Sequence, residues 1–200
     1  MNSRHKKYSF IEKHRLLGLI FILFFGVMVD QGTKIWAQET LARKIEIPQM
    51  PKNSNNNDST ETIYIANKLI VVVPNFFNFI YKENPAAAFS ITSSLPDWFR
   101  RPLLLIISLL ASIFFLVWYF RIKNPGALLL TSFALVLAGA IGNLIDRARM
   151  GYVIDFLDAH AGFLGYNNLH WPTFNVADSL IICGAIGIVI RTLWPIKGNS

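Results

Sequence analysis

The sequence predicts a helical membrane protein with four transmembrane helices and a small extracytoplasmic β-sheet platform, folded as one integral membrane domain over residues 1–200. Four apolar runs predict the helices, since each is near the roughly 20 residues that a helix needs to cross a bilayer. Composition agrees, because 53% of the residues are hydrophobic and only 16% are charged. All five tryptophans fall near the ends of these runs, where an amphipathic ring prefers the headgroup layer.

The first predicted span covers about residues 16–36 and follows a basic stretch. A basic region before an apolar run also opens a secretory signal, but no small-x-small cleavage site follows this one, so we expect a retained span. The run leads into Asp-Gln-Gly-Thr-Lys, where Asp30 and Lys34 are one helical turn apart and can pair. The alternative is an anchor whose lysine reaches the headgroups.

The segment between the first two spans, about residues 38–99, is the sizeable portion predicted outside the membrane. Residues 48–60 are rich in Pro, Asn and Ser and predict a mobile loop. The stretches 69–73 and 76–81 are β-branched and aromatic, with Pro-Asn between them, so they predict two short strands. We expect these strands to form a sheet on the outer membrane surface.

The stretch at 84–90 combines the polar Asn84 with very small side chains in Asn-Pro-Ala-Ala-Ala-Phe-Ser. Small side chains allow another backbone or an acyl chain to approach closely. We therefore expect a substrate-facing wall here, with a plain turn as the alternative.

The second and third spans are predicted at about 102–120 and 126–145. The third ends in Ala-Gly-Ala-Ile-Gly-Asn-Leu-Ile-Asp-Arg, whose small residues allow close helix packing. Asn143, Asp146 and Arg147 project from its last turn and can form a hydrogen-bonded group. An Asp and an Arg so near in sequence usually form a structural pair, so we assign Asp146 a supporting role.

Two aspartates are predicted at membrane boundaries. Asp155 lies in Val-Ile-Asp-Phe at the edge of a span, and Asp178 lies near Asn175 at the start of the fourth span, about 176–194. An ionisable side chain carried toward hydrocarbon costs roughly 2.5 to 3.5 kcal/mol, which favours a functional use. Two carboxylates held close can share one proton, so that one acts as base and the other as acid on a single water.

These segments resemble the lipoprotein signal peptidase family, also called signal peptidase II, over most of the chain. The motifs occur in the family's order: DQGTK at 30–34, NPAAAFS at 84–90, GNLIDR at 142–147, VIDF at 153–156 and FNVADS at 174–179. The resemblance implies a bacterial membrane aspartic endopeptidase. Its substrates would be diacylglyceryl-modified prolipoproteins, cleaved on the amino side of the lipidated cysteine to release the signal peptide.

Carried onto matching positions, the family's catalytic dyad becomes Asp155 and Asp178. The resemblance also implies a set of site-lining or supporting polar and small positions. This set contains Asp30, Lys34, Asn84, Gly139, Asn143, Asp146, Arg147 and Asn175. The chain departs from the family in small ways, with Ala86 where Gly is usual. We expect no metal or other cofactor, a monomer, and as partners the lipid-modified prolipoprotein and membrane lipid.

The distribution of basic residues predicts the orientation. The amino-terminal stretch, the turn around Arg121 and Lys123, and the tail with Arg191 and Lys197 are basic, as cytoplasmic segments are. We therefore expect both termini in the cytoplasm and the active site near the extracytoplasmic face of the inner membrane. The net charge of +7 is explained by orientation and attraction to anionic lipid, without nucleic acid.

Two other functions are compatible with these residues. A metal-dependent membrane transferase or hydrolase could use Asp155, Asp158, His160 and His170 as ligands, although their spacing matches no recognised metal motif. A non-enzymatic four-span scaffold or small transporter would use the acidic residues only to brace helices. Transporters commonly show internal repeats, and the sequence has no convincing one.

Overall fold

Four long helices dominate the computed structural model, which describes residues 2–48, 60–86, 94–123, 126–161 and 171–194. Their bounds are Asn2–Leu41 for α1, Asp97–Arg121 for α2, Ala127–Met150 for α3 and Val176–Leu193 for α4. Each helix is long and apolar enough to cross a membrane, and in α1 the qualifying stretch is His14–Leu41. The predicted four membrane-spanning helices are therefore confirmed within the described residues.

Three of these helices extend beyond the predicted spans. Helix α1 continues through residues 37–41, which contain neither Gly nor Pro to stop it. Helix α2 begins at Asp97, which pairs with Arg100 and Arg101 in the first turns. Helix α3 continues to Met150 and ends at Gly151, whose φ of 79° is the left-handed conformation that closes many helices.

The described residues fall into two compact units. The helical unit takes its residues from 1–32, 85–153 and 176–200. In the apolar 18-residue stretch of each helix, half of the residues of α3 are buried, against 17% in each of the other three helices. Helix α3 is therefore the central helix. The core around it contains Leu19, Tyr119, Phe133, Ala134 and Leu137. The outward faces of the bundle carry large exposed apolar side chains, which suits contact with lipid.

Helices α3 and α4 approach closely because glycines face the partner helix. A Cβ added at Gly184 on α4 would lie 2.5 Å from the carbonyl oxygen of Ser132 and 2.7 Å from Val136 Cγ2 on α3. Any larger residue would force the helices apart. The close contact is typical of transmembrane helices, where small residues let two backbones approach each other.

The sheet unit takes its residues from 33–84 and 154–175 and contains two small sheets. Their strands are β1 at Ala42–Pro48, β2 at Thr60–Ala66, β3 at Ile70–Val73, β4 at Phe77–Asn84 and β5 at Val153–Ala159. The first sheet is the antiparallel pair β1–β2, and the second has the order β3-β4-β5. An aromatic cluster lies in this unit, with Trp36 packed edge-on against Phe79 at 5.3 Å and Phe156 at 6.2 Å between ring centroids.

The predicted strands are present, with shifted ends, as the antiparallel pair β3–β4. Asn75 in the turn between them has a φ of 59°, a conformation that Asn tolerates better than most residues. Strands β1, β2 and β5 were not predicted. Of the predicted loop 48–60, the first and last residues lie in β1 and β2, and residues 49–59 lie outside the described part of the chain.

Candidate active site

Asp155 lies in the middle of strand β5, which is buried over nearly all its length, and its side chain is 1% exposed. The Nδ2 amide of Asn84 donates to its Oδ2 at 2.8 Å, and the Nδ2 amide of Asn175 donates to its Oδ1 at 2.8 Å. Each carboxylate oxygen therefore accepts an N–H bond from an asparagine. These two bonds hold the carboxylate in one orientation. Asp155 is predicted at the edge of a span, and it lies on a strand that begins just after α3 ends.

Backbone pairing brings the two asparagines to Asp155. Asn84 is the last residue of β4, the neighbour of β5 in the sheet. Phe174 pairs with Leu157 of β5 through bonds of 2.9 and 3.0 Å, which aligns the following residue, Asn175, with the strand. Asn175 is completely buried and also donates to the Ile154 carbonyl oxygen at 3.3 Å. The sheet unit thus brings Asn84 and Asn175, both named among the site-lining positions, to Asp155.

Asp178 lies in the first turn of α4 and is half-buried. The Nδ2 amide of Asn143 on α3 donates to its Oδ1 at 2.8 Å. The amino end of a helix carries a partial positive charge, which favours a carboxylate in this turn. Asn143 and Asp178 are therefore brought together in the helical unit, whereas the sequence predicts Asn143 in a group with Asp146 and Arg147.

Asp30 is completely buried and closes the amino end of α4. Its Oδ1 accepts the backbone N–H of Ala177 at 2.8 Å, one of the amides that a first helical turn leaves without an intrahelical acceptor. Lys34 is also buried, with 2% exposed. A lysine enclosed by protein does not reach the headgroups, so the anchor interpretation of this motif does not fit.

The remaining helical positions have packing and hydrogen-bonding roles. Asp146 is 1% exposed and its Oδ1 accepts from Gln31 Nε2 at 2.9 Å. Arg147 Nη1 donates to Ser108 Oγ on α2 at 3.1 Å. A Cβ at Gly139 would strike the backbone carbonyl of Ala177 on α4. These contacts all lie between neighbouring helices.

The predicted wall of small side chains is described only in part. Ala86 is 5% exposed and buried in the helical unit. Residues 87–90 lie outside the described residues, so the choice between a wall and a plain turn stays open.

Among the described residues, no three His, Cys, Asp or Glu side chains are grouped so that they could hold a metal ion. The metal-dependent alternative therefore has no candidate ligand group in this part of the chain. Asp158 Oδ2 accepts from Asn78 Nδ2 at 3.1 Å and lies 3.9 Å from His160 Nδ1. His170, the fourth suggested ligand, lies outside the described residues.

Sequence reasoning missed Gln31, the residue after Asp30 in the first motif. Its Nε2 lies within hydrogen-bond distance of Asp30 Oδ2, Asp146 Oδ1 and the Gly142 carbonyl oxygen. The available signal was a second polar residue inside an apolar run. It could not reveal partners more than one hundred residues away in the chain.

A family model described as signal peptidase (SPase) II matches residues 22–194. The chain is 44% identical over 124 residues to a lipoprotein signal peptidase of Syntrophotalea carbinolica, covering 62% of this chain and 71% of the relative. It is 42% identical over 143 residues to a lipoprotein signal peptidase of Francisella tularensis subsp. novicida, covering 68% and 84%.

Two solved structures of a bacterial membrane enzyme share the fold. The first superposes with a TM-score of 0.62 at 28% sequence identity and covers 91% of both chains. The second superposes with a TM-score of 0.61 at 29% identity and covers 89% of this chain and 94% of the other.

Proposed function

The chain belongs to the signal peptidase II family, and from that premise we propose that Asp155 and Asp178 form an aspartic dyad that cleaves lipid-modified prolipoproteins. The chain is a multi-pass bacterial membrane peptidase that removes signal peptides from prolipoproteins. The aspartic mechanism, the roles of individual residues and the recognition of lipid are the proposed parts.

The observation that carries the dyad is that asparagine amides fix both carboxylates. Asn84 and Asn175 donate to Asp155, and Asn143 donates to Asp178. Catalytic groups have to be held near one productive geometry, and a side-chain amide provides this without adding a competing charge.

The proposed reaction uses one water and two proton positions. One ionised aspartate takes a proton from the water, which attacks the scissile carbonyl carbon. The protonated partner donates to the carbonyl oxygen, and a proton then passes to the leaving amine. Because the two carboxyl groups exchange the proton, the pH dependence of cleavage would report the pair and not either residue alone.

We also propose that the diacylglyceryl group of the substrate contributes binding energy. The outward faces of the helical unit are apolar and suited to acyl chains. Binding energy from a remote lipid group can position the scissile bond, so losing the lipid should lower turnover as well as affinity. The family resemblance supports cleavage of the bond on the amino side of the lipidated cysteine.

Contacts in the helical unit support the proposed orientation. Arg15 at the start of the apolar run donates from Nη1 to the carbonyl oxygen of Ile122 at 3.2 Å, and the Tyr119 hydroxyl donates to the Arg15 carbonyl oxygen. The basic beginning of α1 and the basic end of α2 therefore lie on the same side of the bilayer. Basic segments favour the cytoplasmic side, so we propose cytoplasmic termini and an extracytoplasmic active site.

The test uses the purified full chain in detergent and lipid with two forms of one precursor. Mass spectrometry would follow cleavage of the diacylglyceryl-modified form and of the unmodified form. We expect cleavage only of the modified form, with the lipidated cysteine as the new amino terminus. Equal cleavage of both forms would remove lipid recognition. Cleavage of neither form over a range of lipids would favour the scaffold alternative.

A further inference from the structure

The first turn of α4 is held from two sides. On one side, Asp30 of α1 accepts the Ala177 N–H at 2.8 Å. On the other side, Asn143 of α3 donates to the next residue, Asp178, at 2.8 Å. The orientation of the Asp178 carboxylate therefore depends on how α1 and α3 are held relative to each other at this level of the helical unit.

Gln31 is the side chain that connects α1 and α3 at this level. Its Nε2 donates to the Gly142 carbonyl oxygen at 3.2 Å and to Asp146 Oδ1 at 2.9 Å, both on α3. The same nitrogen lies 3.1 Å from Oδ2 of Asp30, whose other oxygen binds α4. Gly142 precedes Asn143 in α3, and Ala177 precedes Asp178 in α4. These hydrogen bonds and the backbone between them therefore form a closed ring through three helices.

The chemistry of the ring requires a donor at this position. An amide nitrogen carries two hydrogens, so the three acceptors near Gln31 share them. Two of the acceptors are carboxylates, those of Asp30 and Asp146, which are 0% and 1% exposed. A neutral donor between two buried carboxylates is favourable, whereas another acceptor there would be repelled by both.

We infer that Gln31 is a positioning residue for the peptidase reaction. By closing the ring, its amide fixes Asp30, and through the Ala177 N–H it fixes the turn that carries Asp178. This inference rests on the proposed function of Asp178 as a dyad member. It adds a residue that acts on the carboxylate through α1 and does not itself contact substrate.

The kinetic test compares three variants of the full chain with wild type on the lipid-modified precursor. Gln31→Met keeps the length of the side chain and removes the donor, so kcat should fall on the order of 10- to 100-fold with KM nearly unchanged. Gln31→Glu keeps the shape and replaces the donor with an acceptor, so its loss of kcat should be larger. Gln38→Met, at a half-buried glutamine on the same helix, should retain wild-type kcat.

A second readout follows the ring without using activity. Val176–Ala177 is the sole Val-Ala pair in the sequence, so carbonyl-13C valine combined with 15N alanine labels a single amide for NMR. In wild type this amide donates to a carboxylate. Its resonance should move in Gln31→Met and stay in place in Gln38→Met.

The outcomes separate this inference from the proposed function. An unshifted Ala177 amide in Gln31→Met, or an unchanged kcat in that variant, would overturn the positioning role. A packing role would make Gln31→Glu, which has the same shape, the milder substitution, and that ranking would also overturn it. If wild type cleaved no precursor, the proposed function would fail, and the amide resonance would still decide whether Gln31 fixes this turn.

Discussion

The two proposed catalytic aspartates are held in different ways by the two units. In the sheet unit, Asp155 lies on a strand, is 1% exposed and accepts an asparagine N–H on each oxygen. In the helical unit, Asp178 is half-buried in the first turn of α4 and accepts from Asn143. Two asparagine side chains fix the first carboxylate, while one asparagine side chain and the packing of α4 against its neighbours fix the second. Substitutions should therefore affect the two carboxylates through different partners.

The largest expected effect comes from replacing either aspartate, and the loss of kcat should be the same for both. Asp155→Asn and Asp178→Asn keep the size of the side chain and abolish the exchangeable proton, so each should lower kcat by about 10,000-fold. Initial rates on the lipid-modified precursor would measure this. Capture of the precursor should stay near wild type. The thermal midpoint should stay near wild type in Asp178→Asn and fall in Asp155→Asn, because the new amide faces the Nδ2 donor of Asn84 or Asn175. Substantial cleavage by either variant would remove that residue from the dyad.

Replacing the asparagine partners should show that Asp155 depends on its partners more than Asp178 does. Asn175→Ala removes a completely buried donor from Asp155 Oδ1, with a stability cost of about 1–3 kcal/mol and a loss of kcat of about 100-fold. Asn143→Ala should cost less, about tenfold in kcat, because water can reach the half-buried Asp178. Thermal unfolding and kcat of both variants would check this order. A greater loss in Asn143→Ala would reverse it.

Helix packing gives an effect that is measured through stability. An added methyl group at Gly139 meets the Ala177 backbone, so Gly139→Ala should destabilise the chain by about 1–3 kcal/mol. Gly18→Ala is the matched control, because no atom lies within 4 Å of the added Cβ, and it should be neutral or slightly stabilising. Thermal unfolding in one detergent compares the two. Equal midpoints would mean that α3 and α4 can separate without cost.

Asp146→Asn should have the smallest effect on turnover. The substitution keeps an oxygen that can accept from Gln31 and removes one buried charge, so we expect a stability change of about 1 kcal/mol. The kcat of the folded variant should stay within about tenfold of wild type. A stably folded but inactive Asp146→Asn, together with an active Asp155→Asn, would reassign the dyad to Asp146 and Asp178.

The helices could be predicted from the sequence because a membrane span is a local property of composition and length. Strands β1 and β2 had a weaker signal, the alternation of Ile45 and Ile47 and of Ile63 and Ile65 with more polar residues. The Pro- and Asn-rich stretch between them directed the interpretation toward a loop. To predict that Asp155 lies on a strand, one has to know that α3 stops at Gly151, and a count of apolar residues does not show that stop.

The polar positions of the candidate site came from matching motifs, and their partners came from the fold. The motifs named Asn84, Asn143 and Asn175 without saying which carboxylate each would bind. That information depends on the pairing of Phe174 with β5 and on the packing of α3 against α4. These contacts join residues far apart in the chain, so no local pattern contains them.

Combining the two substitutions at the dyad tests the central claim most directly. Single-turnover cleavage with excess enzyme would follow the residual rates of Asp155→Asn, Asp178→Asn and the double variant on the lipid-modified precursor. If the carboxylates act as one unit, the double variant should cleave at about the rate of either single variant, because losses within a unit are not additive. A double variant slower by the product of the two single losses would contradict a shared mechanism.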